Sequence, residues 1–330
     1  MAYATKRMKL TVAIPTYKRP EFLDRCIRSI LASIHSRNIE VLVMDDSMDD
    51  TNKGVLTNYM GHSNVRAIKN KTNLGIDANI CACIENAEGD YVWLIGEDDL
   101  FRPQSIERIL PFLDKGYPFV FANYSYITAD QRLVLRDQSV TITSESMAFD
   151  TFYDSLLWSA GFIGGCVIHR SDFLKTDYKR FIGTYYAHVA GISLASYGRT
   201  IGLLAEPQVG NRVGDASTFT WAAESFGVFQ GWRRLLEMLR PTFGDVHHAR
   251  AYASHKAAHG YLNWKFLVIK RADGLLTWTH VKKLLSDDIS PKERRDVLLA
   301  FLIFPRWFSK LLRATYGHFR RQSLAPFSQG

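Results

Sequence analysis

LTVAIPTYKRPEFLDRCIRSILASI, residues 10–34, is the stretch on which the fold turns. LTVAIP is a short β-rich run that halts at Pro15. After the turn PTYKRP (15–20), Phe22, Ile27, Ile30 and Ile34 recur at helical spacing across residues 21–34. A strand feeding directly into an amphipathic helix is the start of a βαβ unit. The alternation continues outward: IEVLVMDD (39–46) is a second buried strand ending in acid, and VRAIKN (65–70) is a third. IDANICACIENA (76–87) has helical character, and YVWLIGEDD (91–99) is a fourth strand ending in acid again. This order predicts an α/β fold, a Rossmann-like and mostly parallel sheet flanked by helices. Ligands on such sheets bind outside the carboxyl ends of the strands. The turn 15–20 and both acidic clusters lie there, so three strand ends converge on one crevice.

Beyond Pro103 the pattern predicts a helix (Gln104 to Leu113), a strand (Pro118 to Tyr126) and an edge hairpin (Leu133 to Ile142). GFIGGCVIHR (161–170) then reads as a loop entering a strand. From about Ser217 the texture turns helical, with candidates at Ala222 to Leu239, His247 to Lys270, Thr277 to Leu285 and Pro291 to Phe304. The change divides the chain into an α/β region, residues 1–210, and a helical C-terminal region, 211–330.

Composition narrows the function classes. With 47% hydrophobic and 22% charged residues among 330, and 42 aromatic side chains (20 Phe, 15 Tyr, 7 Trp), the chain is globular rather than disordered. Cys26, Cys81, Cys83 and Cys166 have neither zinc-site spacing nor the density of a disulfide scaffold, which suits a reducing cytoplasm. The N-terminal MAYATKRMKLTVAIP makes a poor signal peptide because Pro15 interrupts its short apolar run. The apolar run Val297 to Phe304 is far below the roughly 20 residues of a membrane span. Net charge is +8, and after Asp296 there is no acidic residue, whereas Arg306, Lys310, Arg313, Arg320 and Arg321 are basic. In PRWFSKLLRATYGHFRR (305–321), Phe308, Leu312, Tyr316 and Phe319 fall on one helical face. A basic amphipathic helix of this kind suits an anionic membrane surface; docking on its own domain is the other reading.

The chemistry concentrates at the strand ends. Glu97, Asp98 and Asp99 would repel one another unless solvated or neutralised, and hard divalent ions such as Mn2+ or Mg2+ favour such oxygens. A metal there could bridge a diphosphate; the same acids also suit a solvated turn ahead of the helix after Pro103. In the second cluster, Asp49 or Asp50 suits a helix N-cap. Asp46, nearer the strand end, could accept a pyrimidine N–H while Tyr17 packs on the base.

The segments TVAIPTYKRPEFLDRCIRSI, IEVLVMDDSMDDT, NLGIDANICACIENAEGDYVWLIGEDD and LFRPQSIERIL resemble, in order, the blocks of the family 2 inverting glycosyltransferases, of GT-A type. Within that family, Gly75 to Asn79 followed by Trp93 to Asp99 is similar to the abequosyltransferase-like branch, which decorates bacterial O-antigen. The resemblance implies that Pro15, Thr16, Tyr17 and Asp46 hold the nucleobase and ribose, with Asp77 and Asn79 nearby. Asp98 falls at the family's metal-binding position, Glu97 where another acid often sits, and Asp99 follows as a further metal candidate. Gly96 replaces the first acid of the family's DxD pattern.

It further implies transfer of a sugar from a nucleotide-diphosphate-sugar donor to a glycan or lipid-linked acceptor, with a divalent metal as cofactor. The enzyme would be cytoplasmic, with the tail reaching the inner face of the plasma membrane. The family's base is usually a carboxylate near a helix start; here Thr184 stands in that region, and His188, one turn on, is the candidate catalytic base. A packing role suits a lone helical histidine equally, and Asp172 and Asp177 are further candidates. Gly161 to Gly165 could admit an acceptor sugar or form a simple turn, and Trp158 and Phe162 could stack on sugars or pack inside.

Two other classes compete. Metal-dependent phosphoryl or nucleotidyl transfer also uses carboxylates at strand ends, but the chain lacks a GxxxxGK[ST] loop and a DxDxT motif. A non-enzymatic basic module would exploit the tail's charge; no nucleic-acid motif is present, so nucleic acid is not an expected partner.

Overall fold

The computed structural model describes residues 9–34, 38–213, 225–286, 289–312 and 325–326. In chain order the elements are β1 (Leu10–Thr16), α1 (Pro20–Ala32), β2 (Ile39–Asp45), α2 (Lys53–Tyr59), β3 (Val65–Lys69), α3 (Ile76–Asn86), β4 (Tyr91–Leu94), β5 (Leu100–Phe101) and α4 (Ser105–Leu113). There follow β6 (Phe119–Ile127), β7 (Leu133–Arg136), β8 (Ser146–Ala148), α5 (Phe149–Ser155), β9 (Cys166–His169), α6 (Arg170–Leu174), α7 (Ala187–Ser196) and β10 (Thr200–Arg212). The remainder is α8 (Ser225–His259), α9 (Trp264–Ala272), α10 (Trp278–Ser286), α11 (Pro291–Ile303) and the two-residue β11 (Ala325–Pro326).

One sheet runs in the order β11-β7-β6-β9-β4-β1-β2-β3. The strands expected from the sequence form its parallel side, with Leu10 opposite both Ile39 and Tyr91, and Thr16 opposite Asp45. The chain leaves β1 toward β2 and β3 and then returns to place β4 on the other flank. That reversal creates a topological switch point between β1 and β4, the place beyond whose carboxyl ends sheets of this kind bind their ligands. On the far side β9 runs antiparallel to both β4 and β6. β10 is parallel to β6, so β10 points the same way as β4.

Packing follows the patterns that make the elements. α1 begins with Pro20 at its first position and buries Leu23, Cys26, Ile27 and Ile30, a stripe in which each aliphatic side chain contributes about 1.5–3 kcal/mol. α3 buries Ile80, Cys81, Cys83 and Ile84. The centre of the sheet is apolar on both faces: Val12, Ile14, Val41, Val43, Val92 and Trp93 are all fully buried, as a covered parallel sheet requires. All four cysteines are buried and free.

The chain divides into two compact units, one of Met1–Gly214, Gly231–Ala251 and Ala325–Gly330, the other of Asp215–Gln230 and Tyr252–Leu324. Residues 231–251 of the helical region thus belong with the α/β unit. α8 is broken at Gly244, whose φ of 81° lies in the left-handed region open to glycine. The second unit has its own core of Phe226, Leu262, Leu267, Leu276, Val281, Leu284 and Val297. A capping box between Ser290 and Glu293 starts α11, and the Asn263 side chain caps α9. Among the described residues no helix is long and apolar enough to cross a membrane.

Candidate active site

The turn after β1 and the turn after β4 are tied together by Glu97. Its Oε2 accepts the Thr16 hydroxyl and, at 2.9 Å, the Tyr17 backbone N–H. Its Oε1 lies 3.5 Å from Arg19 Nε. Burial pushes the Glu97 carboxyl up to about 7, against the pull of these donors and of Arg19. Pro15 is half-buried at the end of β1, and Tyr17 is 39% exposed, with Lys18 Nζ 5.5 Å from its ring centroid.

Asp98 stands at the centre of the charge. Its Oδ2 accepts from Arg212 Nη2 at 2.7 Å, from Arg212 Nε at 3.2 Å and from Arg19 Nη1 at 3.3 Å. Its backbone carbonyl accepts from Gln131 Nε2 at 2.7 Å. Asp98 is half-buried, whereas Asp99 is 4% exposed and accepts the Arg212 backbone N–H at 2.9 Å. Burial, reinforced by the Asp98 charge, pushes the Asp99 carboxyl well up. Asp99 therefore turns inward as a brace, which corrects its expected role as a metal ligand. Gly96 suits this arrangement: a Cβ there would lie 2.6 Å from Asp99 Oδ2, so a larger residue would require the Asp99 side chain to shift.

Asp46 is buried at the end of β2. Its Oδ1 accepts from Asn70 Nδ2 at 2.9 Å and Leu74 N at 2.8 Å, and its Oδ2 from Gly75 N at 3.0 Å. A carboxylate offers about four acceptor positions, so one remains beyond these three. Two other expected contacts prove to be braces beneath the crevice. Asn79 donates to the Met44 carbonyl at 3.1 Å and accepts from Asn70 at 2.9 Å. Asp77 receives the backbone N–H groups of Gly183, Tyr185 and Ala187 at 2.8, 3.0 and 2.9 Å. Asp77 is thus engaged by the backbone leading into α7, and Asn79 by a backbone carbonyl and a neighbouring amide.

His188 is also corrected. It is 1% exposed, its Nε2 faces the Ala160 carbonyl at 3.1 Å, and burial pushes it down to about 4. A ring enclosed this way cannot reach an acceptor hydroxyl. Nor do the other candidates meet the crevice: Asp172 pairs with Arg199 at 2.7 Å and with His169, which sits opposite Tyr91 at the amino end of β4. Asp177 lines a surface cavity with Glu85, near the end of α3. Thr184 is buried and donates to the Phe181 carbonyl at 2.7 Å. In the 161–165 loop, Phe162 packs on Tyr124 with centroids 4.3 Å apart, the Gly164 carbonyl accepts the Trp93 N–H at 2.9 Å, and Trp158 donates to the Ser155 carbonyl at 3.1 Å.

The sequence reading missed Arg212 because it missed β10. Pro207 interrupts TIGLLAEPQVGNR, and proline inside a run argues against a strand. The structure absorbs it in a register shift between Leu204 and Val209, after which β10 delivers Arg212 to the acids following β4. Arg19 was visible in PTYKRP, but nothing local marked its partners.

A parallel sheet whose switch point is edged by Glu97, Asp98, Arg19 and Arg212 has the layout of an α/β enzyme that handles a charged ligand. The family model described as glycosyl transferase family 2 matches residues 11–175, half of the chain, and the chain belongs to that family. Its curated relatives include abequosyltransferase RfbV of Salmonella typhimurium, 31% identical over 110 residues, which are 32% of this chain and 33% of that protein. Putative glycosyltransferase EpsE of Bacillus subtilis is 31% identical over 109 residues, 32% of this chain and 39% of that protein. The chain thus spans between a third and two fifths of these relatives. S. aureus TarS 1-349 superposes with a TM-score of 0.58 at 14% identity, covering 89% of this chain and 81% of that one. The same protein in complex with UDP-GlcNAc gives 0.55 at 15% identity, covering 89% and 79%. At these identities the likeness establishes the GT-A fold.

Proposed function

We propose that the chain is an inverting glycosyltransferase that moves a sugar from a nucleotide-diphosphate donor to a glycan or lipid-linked acceptor in the synthesis of a bacterial surface polysaccharide such as O-antigen. The observation that carries this reading is the switch point between β1 and β4, where exposed Tyr17 is tied through its backbone N–H to Glu97, next to Asp98. Pro15, Thr16 and Tyr17 form the edge on which a nucleobase and ribose would rest, held in shape by Glu97. The open acceptor position of Asp46 would take a base N–H. Abequosyltransferase RfbV and EpsE, both similar here, support the polysaccharide assignment.

A divalent cation, Mn2+ or Mg2+, fits this site only in company with the donor. Among the described residues no three His, Cys, Asp or Glu side chains are grouped to hold an ion. Mg2+ sites, however, commonly use one or two carboxylates and complete the shell with phosphate oxygens and water. Asp98 would be that carboxylate, and the ion would stabilise the charge of the departing diphosphate. In an inverting transfer the acceptor oxygen bonds to the anomeric carbon as the bond to the diphosphate oxygen breaks, and the hydroxyl proton passes to a base. The test is to incubate the protein with sugar nucleotides and acceptor glycans. Release of nucleoside diphosphate with a new glycosidic bond is expected; release of pyrophosphate or inorganic phosphate instead would replace this reading with phosphoryl or nucleotidyl transfer.

Residues 1–210 would carry donor binding, and the helical region 211–330 would serve the acceptor or a membrane. Leu302, Ile303, Trp307 and Leu311 are 70%, 60%, 69% and 55% exposed, beside exposed Arg306 and Lys310. Phe308, expected to share one helical face with Leu312, stacks on Phe304 with centroids 5.9 Å apart. Arg313, Tyr316, Phe319, Arg320 and Arg321 lie outside the described residues. Apolar side chains interleaved with cations and free of acids suit the anionic headgroup layer of a cytoplasmic leaflet, where each Lys or Arg contributes about 1 kcal/mol. The enzyme would then be peripheral on the inner face of the plasma membrane. In flotation with phosphatidylglycerol vesicles, Trp307→Ala combined with Leu311→Ala is expected to cut binding at least about tenfold. Equal flotation of the double variant and the parent would remove membrane contact at this face.

A further inference from the structure

We propose that Gln131 is a positioning residue for sugar transfer: from the turn between β6 and β7, its amide fixes the peptide that sets the direction of the Asp98 carboxylate. This rests on the donor site proposed above.

Gln131 departs twice from what stability alone favours. Its φ of 63° lies in the left-handed region, which suits glycine or asparagine better than a long side chain. It is also 2% exposed, and its Oε1 is buried with no hydrogen-bond partner among the described residues, a costly state for an acceptor. What the side chain supplies in return is one hydrogen bond, from Nε2 to the Asp98 carbonyl at 2.7 Å. The turn that carries it is closely tied. Gln131 N–H donates to the Thr128 carbonyl at 2.8 Å, Thr128 N–H to the Leu133 carbonyl at 2.9 Å and Leu133 N–H to the Thr128 hydroxyl at 3.1 Å. Val134 of β7 packs with Leu100 and Ile127, so the turn and the strand after Asp99 share one small apolar core.

The Asp98 carbonyl and the Asp99 N–H belong to one planar peptide. That N–H donates to the Gly96 carbonyl at 3.0 Å, so the plane is held at both polar ends, by Gly96 from within the acid turn and by Gln131 from outside it. A plane held at both ends fixes the backbone angles on either side of it, and with them the line along which Asp98 projects its carboxylate. Arg19 and Arg212 hold the far end of that side chain; Gln131 holds its root. Without the Gln131 amide only the local bond remains, and the peptide can tilt. Displacing a group at a reacting centre by about 1 Å can cost about a hundredfold in rate. With the carboxylate still gripped by two guanidinium groups, the expected loss is about tenfold.

The test compares the full-length parent with Gln131→Gly in three measurements: kcat for nucleoside diphosphate release from sugar nucleotides, calorimetric titration with UDP, GDP or CDP, and urea unfolding. Glycine relieves the left-handed backbone and removes the orphaned acceptor, so the urea midpoint is expected to stay at the parent's value while kcat falls about tenfold. Affinity for the nucleotide the parent accepts is expected to stay within about twofold, because Tyr17 and Asp46, proposed to meet the base, lie on other turns. A merely structural role gives the reverse pairing, a lower urea midpoint with an unchanged kcat for the folded protein. An unchanged kcat at any stability would overturn the proposal and leave the donor site standing. A parent that neither binds these nucleotides nor transfers sugar would overturn both. If the glycine variant fails to fold, Gln131→Asn decides, since asparagine tolerates the left-handed turn but its amide is one methylene too short to reach Asp98. It is expected to lose about tenfold in kcat, and a kcat equal to the parent's would overturn the proposal.

Discussion

Asp98→Asn is expected to lower the rate of sugar transfer by about a thousandfold while leaving the chain folded. The substitution preserves shape and removes one negative charge, the one that would face the cation. Losing a single preorganised electrostatic contact to a developing charge typically costs two to three orders of magnitude, or about 3–4 kcal/mol of barrier. Asparagine also turns an amide toward the guanidinium groups that now share Asp98 Oδ2 at 2.7 and 3.3 Å. Folding stability should therefore fall too, by about 2 kcal/mol. That is less than the loss usual for breaking a buried pair, because Arg212 lies against Phe22 and Asp99 stays close by. Initial rates across a Mn2+ titration, together with urea unfolding curves, separate the two effects. A variant that is less stable yet transfers sugar at the parent rate would reduce Asp98 to a structural counter-ion.

The side of the fold that builds the crevice was legible in the sequence because its signals are local. LTVAIP, IEVLVMDD and YVWLIGEDD are short apolar runs closed by turn residues or acids, and β1, β2 and β4 form there, though β4 ends at Leu94 and leaves Gly96 to Asp99 in the turn. What stayed hidden depends on contacts between segments distant in the chain. Asp46, Asp77 and Asn79 were recognisable as polar residues near strand ends. Whether each faces a ligand or braces a loop is decided by backbone N–H groups, and those on Asp77 lie more than a hundred residues away. The helical-face argument for His188 failed because Ala187, His188, Val189, Ala190, Gly191, Ile192 and Ser193 in α7 are all buried. A helix enclosed on every side has no outward face for spacing to reveal. Arg212 was lost with β10, whose proline conceals a strand that the register shift makes tolerable.

Asp77→Ala is expected to destabilise the α/β unit by about 3 kcal/mol, the largest stability change of these substitutions. The carboxylate sits in the first turn of α3 and gathers three backbone N–H groups from the segment leading into α7. That segment needs holding: Gly183 and Tyr185 both have left-handed backbones, with φ of 95° and 69°. For a tyrosine this conformation costs of order 1–3 kcal/mol. Removing the carboxylate would leave the buried Ala187 N–H and the half-buried Tyr185 N–H without acceptors, at about 1–3 kcal/mol for a buried group. Gly183 is exposed and its N–H can turn to water.

Asp77→Asn should lose less, about 1–2 kcal/mol, because one oxygen survives while an amide confronts the remaining donor. The pH dependence gives an independent sign. Burial raises the Asp77 carboxyl above its ordinary 3.8, with the N–H donors opposing. A raised folded-state value means that its contribution is fully present below the unfolded value and is lost as pH rises through the folded one. The deficit of the asparagine variant should therefore narrow as pH climbs through that window. Urea unfolding at several pH values, with hydrogen exchange at the Tyr185 and Ala187 amides, measures all of this. An alanine variant within about 1 kcal/mol of the parent and with unchanged exchange would show that the turn into α7 holds its shape without Asp77.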